Sequence, residues 1–200
     1  MLDCLAPKFW AGGALVAATV LIGGQARADE VWVGAYSHDL SSGPREGGVD
    51  VQLGYRTSRL DALRVLGRPS IDGQVAFNNE SSTHFAAIGL DWEIGLAGGV
   101  YIRPGIGLAY TTGKAVLPPA NAPGLSPQEL ERRLHLRARR IDFGSHVLFK
   151  PELTLGYRMS DRLAVEASYV HLSNGQVFHK GKNQGLDDLG ARLVWRFGSR

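Results

Sequence analysis

The sequence predicts an all-β protein, an eight-stranded antiparallel transmembrane β-barrel, and three observations lead to this fold class. Several segments alternate between apolar and small or polar residues, as side chains alternate across a strand. Most are as long as the ~9–11 residues with which a tilted strand crosses a bilayer. Short and long connections alternate between them, as they do in outer-membrane barrels. No apolar run after residue 28 approaches the ~20 residues of a spanning helix.

The N-terminal segment is typical of a secretory signal peptide. Lys8 supplies a weak positive charge, residues 9–24 are apolar, and Ala26-Arg27-Ala28 fits a small-residue cleavage site. A single-span membrane anchor is the competing interpretation. We expect a signal peptide at 1–28 and a barrel domain at 29–200.

Composition excludes two function classes for the mature protein. The net charge is +3 for the full sequence and +2 once residues 1–28, with Lys8, Arg27 and Asp3, are removed, which gives no reason to expect nucleic acid as a partner. The single cysteine, Cys4, lies in the predicted signal peptide, so neither disulfides nor cysteine chemistry is expected after cleavage.

The strand candidates show a consistent division between their two faces. In residues 85–94 and 100–110, aliphatic and aromatic side chains share one parity, which fits lipid, and small or charged residues share the other, which fits a barrel interior. The segment 57–67 is long for a periplasmic turn and could form a helical turn or extend the strands. The approximate predicted strands are 30–38, 47–58, 68–78, 82–94, 99–111, 142–158, 161–173 and 186–197.

A soluble β-sandwich is the alternative fold, and its outward faces would be polar. The persistent apolar parity favours the membrane barrel, and several aromatic residues have the spacing of membrane-interface residues. These are Trp92, Tyr101, Tyr110, Tyr169, Trp195 and Phe197.

The connections predict an orientation in the membrane. Residues 95–98 and 159–161 are tight turns, whereas 112–141 and 174–185 are long. If the first strand starts at the periplasmic side, both long connections lie outside the cell.

The long connection contains a predicted helix at 126–140. Ser126 is suited to cap it, and Pro127 occupies the first helical position. Its many arginines predict either a basic patch over anionic lipid head groups or a solvated loop helix without a specific role.

Polar residues lie at the end of the apolar face of the last two strands. His171 and Ser173 share parity with Leu163, Val165, Ala167 and Tyr169, and Asp187 shares parity with Leu189, Ala191, Leu193, Trp195 and Phe197. A hydroxyl, an imidazole and a carboxylate together are suited to nucleophilic ester hydrolysis. Their position predicts an esterase that meets its substrate in lipid.

These residues belong to an H-x-S-N motif at 171–174 and an N-x-G-x-acid motif at 183–187, and the chain resembles the lipid A 3-O-deacylase family of PagL-type outer-membrane esterases. The resemblance implies that Ser173 is the nucleophile, His171 the base and Asp187 the acid, where the family has glutamate. Asp188 is the alternative acid, although its parity points inward.

The oxyanion of the reaction needs hydrogen-bond donors. Asn174 and the backbone amide of Gly175 are the nearest candidates, and the resemblance implies this role for Asn174.

The expected function is hydrolysis of the 3-O-linked acyl ester of lipid A, the lipid of lipopolysaccharide, in the outer membrane and without a cofactor. The alternatives are a non-enzymatic small barrel acting in adhesion or membrane integrity, and a lipid A acyltransferase barrel. No metal site is expected, because the remaining histidines show no ligand spacing. They are His38, His84, His135, His146 and His179.

Overall fold

The computed structural model describes residues 28–40, 46–80 and 82–198, so all but the last residue of the predicted signal peptide lie outside the described residues. A short 3-10 helix spans Asp61–Leu66, and an α-helix, α1, spans Pro127–Arg139. The strands are β1 Asp29–Ser37, β2 Val49–Arg56, β3 Ser70–Asn78, β4 Phe85–Asp91, β5 Ile94–Gly95, β6 Val100–Thr111, β7 Val147–Arg158, β8 Leu163–Leu172 and β9 Leu186–Phe197.

The strands form a closed antiparallel barrel. They are ordered β4-β3-β2-β1-β9-β8-β7-β6, and the pairing of β4 with β6 completes the ring. β5 is a two-residue continuation beyond β4 that also pairs with β6, so the wall has eight strand positions. Closure leaves no open edge, which a sheet in hydrocarbon requires. The predicted eight-stranded barrel is therefore confirmed, and the β-sandwich alternative is wrong.

The outer surface of the barrel is apolar. Large aliphatic side chains that face outward keep about half of their surface exposed, whereas a soluble protein would bury most of them. Examples from around the wall are Val33, Val51, Leu53, Ile88, Ile106, Leu108, Leu153, Leu155 and Leu193. This surface is suited to contact with lipid chains.

The inner surface is charged, and its charges are paired. Arg56 is 1% exposed, and its guanidinium lies 2.7 Å from Glu30 and 2.6 Å from Asp91. Arg192 lies 2.5 Å from Glu166 and stacks over the Trp32 ring at 4.3 Å. Pairing offsets part of the cost of removing these charges from water.

The two ends of the barrel differ in the length of their connections. The loop end carries the connections 38–48, 79–84, 112–146 and 173–185, and the turn end carries 57–69, 96–99 and 159–162. The 3-10 helix lies in the connection 57–69, where a helical turn was one of the two sequence-based expectations. Trp92 Nε1 donates a 2.6 Å hydrogen bond to the carbonyl of Leu66 in this helix.

An apolar plug fills the lumen at the loop end. Ile141 and Phe143 enter it from the connection before β7, and both are fully buried. The plug consists of Tyr36, Ala76, Phe85, Ala109, Ile141, Phe143, Leu148, Val170, Leu172 and Leu186.

Three details differ from the sequence prediction. β7 begins at Val147 rather than at 142, because 141–143 pack into the plug and Gly144 turns the chain with φ +75°. The predicted strand 82–94 is interrupted between β4 and β5. Tyr101 was wrongly assigned to the membrane interface, since it is buried in the lumen, where its hydroxyl donates to Glu166 at 2.7 Å.

α1 is the predicted loop helix, and several of its arginines have structural partners. Ser126 Oγ accepts a 3.2 Å hydrogen bond from the Glu129 amide, which caps the first turn. Hydrogen bonds from Arg132 and Arg133 lower the pKa of Glu129 to about 2. Arg137 donates to the Pro118 and Leu117 carbonyls, which ties the helix to the preceding loop.

Neither α1 nor any other helix of the described residues has the length and apolarity needed to cross a membrane.

We expect Arg56→Ala to lower the free energy of unfolding by about 3–5 kcal/mol, because buried carboxylates lose their cation. Urea unfolding of the barrel in lipid vesicles measures this change. Arg139→Ala is the control, since Arg139 is exposed on α1, and its effect should stay within about 0.5 kcal/mol. Equal destabilisation by both variants would contradict a structural role for the lumen charges.

Candidate active site on the lipid-facing surface

The pairing of β8 with β9 brings His171 and Asp187 directly opposite each other. His171 Nδ1 and Asp187 Oδ1 form a 2.6 Å hydrogen bond. Both side chains are on the outer surface of the barrel, about one third and one quarter exposed, whereas their inward neighbours Val170, Leu172 and Asp188 are buried. The alternation of residues along the two strands predicted that His171 and Asp187 face outward.

Tyr169 extends this contact along the same face. Its hydroxyl donates a 2.5 Å hydrogen bond to Asp187 Oδ1, the same oxygen that contacts His171. The sequence analysis treated Tyr169 only as an interface aromatic. Its shared parity with His171 was the available signal, but the contact depends on the register of β9.

Ser173 follows β8 by one residue and continues its pairing with β7. Its amide and carbonyl exchange hydrogen bonds with Phe149, at 3.2 and 2.7 Å. Its side chain is half-buried. Among the described residues, Ser173 Oγ and His171 Nε2 are not joined by a hydrogen bond, so the geometry links the base to the acid but does not link the nucleophile to the base.

Gly185 lies against the His171 ring. A Cβ at this glycine would be 2.6 Å from His171 Cε1 and 3.2 Å from the Leu172 carbonyl oxygen. Only a hydrogen on this Cα leaves the imidazole its place beside Asp187. This steric requirement explains why the N-x-G-x-acid motif has a glycine at position 185.

Asn174 is fully buried and its donors are occupied. Its Nδ2 donates to the Phe143 and Lys182 carbonyls at 2.6 and 3.2 Å, and its amide donates to Asn183 Oδ1 at 2.9 Å. These bonds hold the loop between β8 and β9 against the plug. Gly175 follows with φ +60° and is exposed, and its amide donates no hydrogen bond to any of the described residues.

Aromatic residues flank Ser173 on the outer side. Phe149, its backbone partner on β7, stacks on Phe178 with ring centroids 4.9 Å apart. Phe178 and Val177 in the adjoining loop are exposed. An apolar surface therefore lies beside the serine, which the sequence analysis did not predict because these rings meet only across the loop.

Asp188 faces the opposite side of β9 from Asp187. Its carboxylate lies in the lumen, 3.6 Å from His38 Nδ1, so it does not contact His171. Burial lowers the pKa of His38, but hydrogen bonds with Asp50 and Glu46 outweigh it and raise the pKa to about 10. His38, Asp50 and Asp188 form a separate cluster inside the barrel.

The fold and the outward polar group define an outer-membrane β-barrel with a candidate hydrolytic site on its outer surface. The profile of the family described as lipid A 3-O-deacylase (PagL) matches residues 67–196. The chain therefore belongs to the lipid A 3-O-deacylase family, a family of ester hydrolases, and the recognition made from the sequence motifs is confirmed.

Solved structures agree with the fold. The crystal structure of the outer membrane enzyme PagL superposes with a TM-score of 0.52 and 16% identity, covering 84% of this chain and 97% of that one. A de novo designed transmembrane β-barrel gives a TM-score of 0.50 at 14% identity, covering 88% and 100%. No curated protein sequence matches this chain.

We expect Gly185→Ala to reduce hydrolysis by about 100-fold, because a displacement of the imidazole of about 1 Å is enough for such a loss. Ester hydrolysis by the purified, folded barrel measures the effect. Gly95→Ala is the matched control, since a Cβ there meets no atom within 4 Å. Full activity of Gly185→Ala would show that the imidazole position does not matter.

Proposed function

We propose that this protein hydrolyses the 3-O-linked acyl ester of lipid A, using Ser173, His171 and Asp187 on the lipid-facing surface. The observation that carries the proposal is the His171–Asp187 hydrogen bond on the outer surface beside Ser173, in a chain of the lipid A 3-O-deacylase family. The loop end of an outer-membrane barrel faces the cell exterior. A site there meets lipid A in the outer leaflet.

Asp187 orients the base. As a carboxylate it accepts from His171 Nδ1, which places the imidazole proton on Nδ1 and leaves the Nε2 lone pair free to accept a proton. The carboxylate also stabilises the imidazolium that forms during the reaction. Tyr169 holds the same Asp187 oxygen and restricts the rotation of the carboxylate.

Ser173 is the nucleophile of the proposed reaction. Its Oγ attacks the ester carbonyl while His171 Nε2 takes the hydroxyl proton, and the collapse of the tetrahedral intermediate returns that proton to the 3-oxygen of lipid A. Water then attacks the acyl-serine, which releases a 3-hydroxy fatty acid and restores the hydroxyl. Catalytic hydrogen bonds in substrate-free enzymes often tighten only when substrate binds, which accommodates the absence of a Ser173–His171 bond in the described residues.

The backbone amide of Gly175 is the better candidate for the oxyanion donor. The donors of Asn174 already bond to Phe143, Lys182 and Asn183. We therefore assign Asn174 to fixing the loop, and Gly175 to stabilising the developing oxyanion through its amide.

The apolar surface beside the serine fits the substrate. The stacked Phe149 and Phe178 rings and the exposed Val177 provide contact for an acyl chain lying along the barrel wall. Each buried methylene of such a chain contributes about 0.8 kcal/mol. A water-soluble substrate would not need this surface.

We expect the wild-type protein to remove the mass of one 3-hydroxyacyl chain from lipid A when it is expressed in a Gram-negative host, and Ser173→Ala to remove none. Mass spectrometry of extracted lipid A makes the comparison. Ser160→Ala, at the turn end, is the control and should retain activity. A gain of acyl mass would favour the acyltransferase alternative, and identical spectra for wild type and Ser173→Ala would favour a non-enzymatic barrel.

We expect Tyr169→Phe to lower kcat about tenfold and to leave KM nearly unchanged, because a charge-assisted hydrogen bond to the acid of about 1.5 kcal/mol is lost while the acyl surface stays intact. Steady-state kinetics on micellar lipid A separates the two constants. Tyr157→Phe is the matched control, since this tyrosine is also outward-facing. A change confined to KM would assign Tyr169 to substrate contact.

A further inference from the structure

We propose that the lumen at the loop end contains a binding site for a divalent transition-metal ion, Zn²⁺ in the first place, formed by His38, Asp50 and Asp188. One ligand atom from each residue lies within 4.8 Å of the others. His38 Nδ1 is 3.0 Å from Asp50 Oδ2 and 3.6 Å from Asp188 Oδ1. Atoms bound tetrahedrally to Zn²⁺ at about 2.0–2.2 Å are roughly 3.3–3.6 Å apart, which is close to both of these distances.

Each of the three side chains also contacts a second polar group through the atom that is not assigned to the metal. His38 Nε2 contacts Glu46 Oε2 at 3.3 Å, Asn78 donates to Asp50 Oδ1 at 2.8 Å, and Gln52 donates to Asp188 Oδ2 at 3.3 Å. The nitrogen or oxygen that remains on each ligand is the one directed at the centre of the cluster. A carboxylate behind a ligating histidine is the usual outer-shell arrangement of metal sites, because it fixes the tautomer and raises the basicity of the ring.

Two buried oxygens in this cluster lack hydrogen bonds. Asp188 is 1% exposed and Gln52 is fully buried, yet Asp188 Oδ1 and Gln52 Oε1 accept none from the described residues. Asp188 Oδ1 is the same atom that points at His38. A buried carboxylate oxygen without a partner is costly, and a cation at the centre would satisfy it.

The charges of the cluster also indicate a cation. Three carboxylates, those of Glu46, Asp50 and Asp188, lie within 3.0–3.6 Å of the His38 ring nitrogens. Arg140 approaches only Glu46, at 3.8 Å, and stays one third exposed. This concentration of carboxylate oxygens around one imidazole is suited to a divalent ion.

The ligand types select the ion. Imidazole nitrogen with carboxylate oxygens suits Zn²⁺ and its neighbours, whereas Ca²⁺ and Mg²⁺ prefer oxygen ligands alone. No sequence pattern indicates this site, because Asp50 is 12 residues from His38 and Asp188 reaches the cluster only through barrel closure. The site would join β2 and β9 to the end of β1, directly behind Asp187.

The adjacent aspartates on β9 provide the test. The full chain, folded in detergent and treated with chelator, is titrated with ZnCl₂ by calorimetry, with metal content and melting temperature as further readouts. We expect about one Zn²⁺ per chain and a higher melting temperature, since a ligand that binds the native state stabilises it. Asp188→Asn should weaken Zn²⁺ binding at least tenfold, and Glu46→Gln about 10- to 100-fold.

Asp187→Asn is the matched control, because Asp187 faces the outer surface. It should keep wild-type Zn²⁺ affinity while losing ester hydrolysis, so the metal site and the proposed catalytic site can fail independently. Zn²⁺ binding to the wild type that is no tighter than to Asp188→Asn, or equal binding of Zn²⁺ and Mg²⁺, would overturn the proposal. If Asp188→Asn does not fold, a wild-type melting temperature that is unchanged by Zn²⁺ would overturn it equally.

Discussion

The pairing of β4 with β6 is the constraint on which the rest of the structure depends, because an open sheet edge cannot lie in hydrocarbon. Once the ring is closed, every strand has one face toward lipid and one toward the lumen. Successive residues then have opposite environments, and Asp187 and Asp188 show the result: one carboxylate meets His171 outside and the other meets His38 inside. The candidate catalytic group and the candidate metal site are separated by the thickness of a single strand.

The strand pairing also explains how an aspartate can reach the base in the proposed site, where the family resemblance implies a glutamate. Directly opposed residues on antiparallel strands have Cβ atoms about 4.5–5.5 Å apart. Since His171 and Asp187 are such a pair, the shorter side chain still reaches Nδ1 at 2.6 Å. The Tyr169 hydroxyl occupies the space on the other side of the same oxygen.

Much of the fold could be predicted from the sequence because strand parity is a local property. Patterns within a few residues predict the eight wall positions, the outward placement of His171 and Asp187 and the start of α1 after Ser126. For residues 57–67 they left a helical turn and longer strands as alternatives. The rest depends on contacts between distant segments. The occupied donors of Asn174 and the cluster around His38 exist only because closure brings loops and strands together.

The plug has a consequence for what the barrel does to the membrane. Ile141 and Phe143 enter the lumen at the loop end and are fully buried among large apolar side chains, and the wall below them is lined by paired charges. Among the described residues, the lumen at this end is filled by side chains rather than by an open channel. The barrel can therefore span the outer membrane, with its candidate site facing the lipid, while the described residues keep its lumen closed.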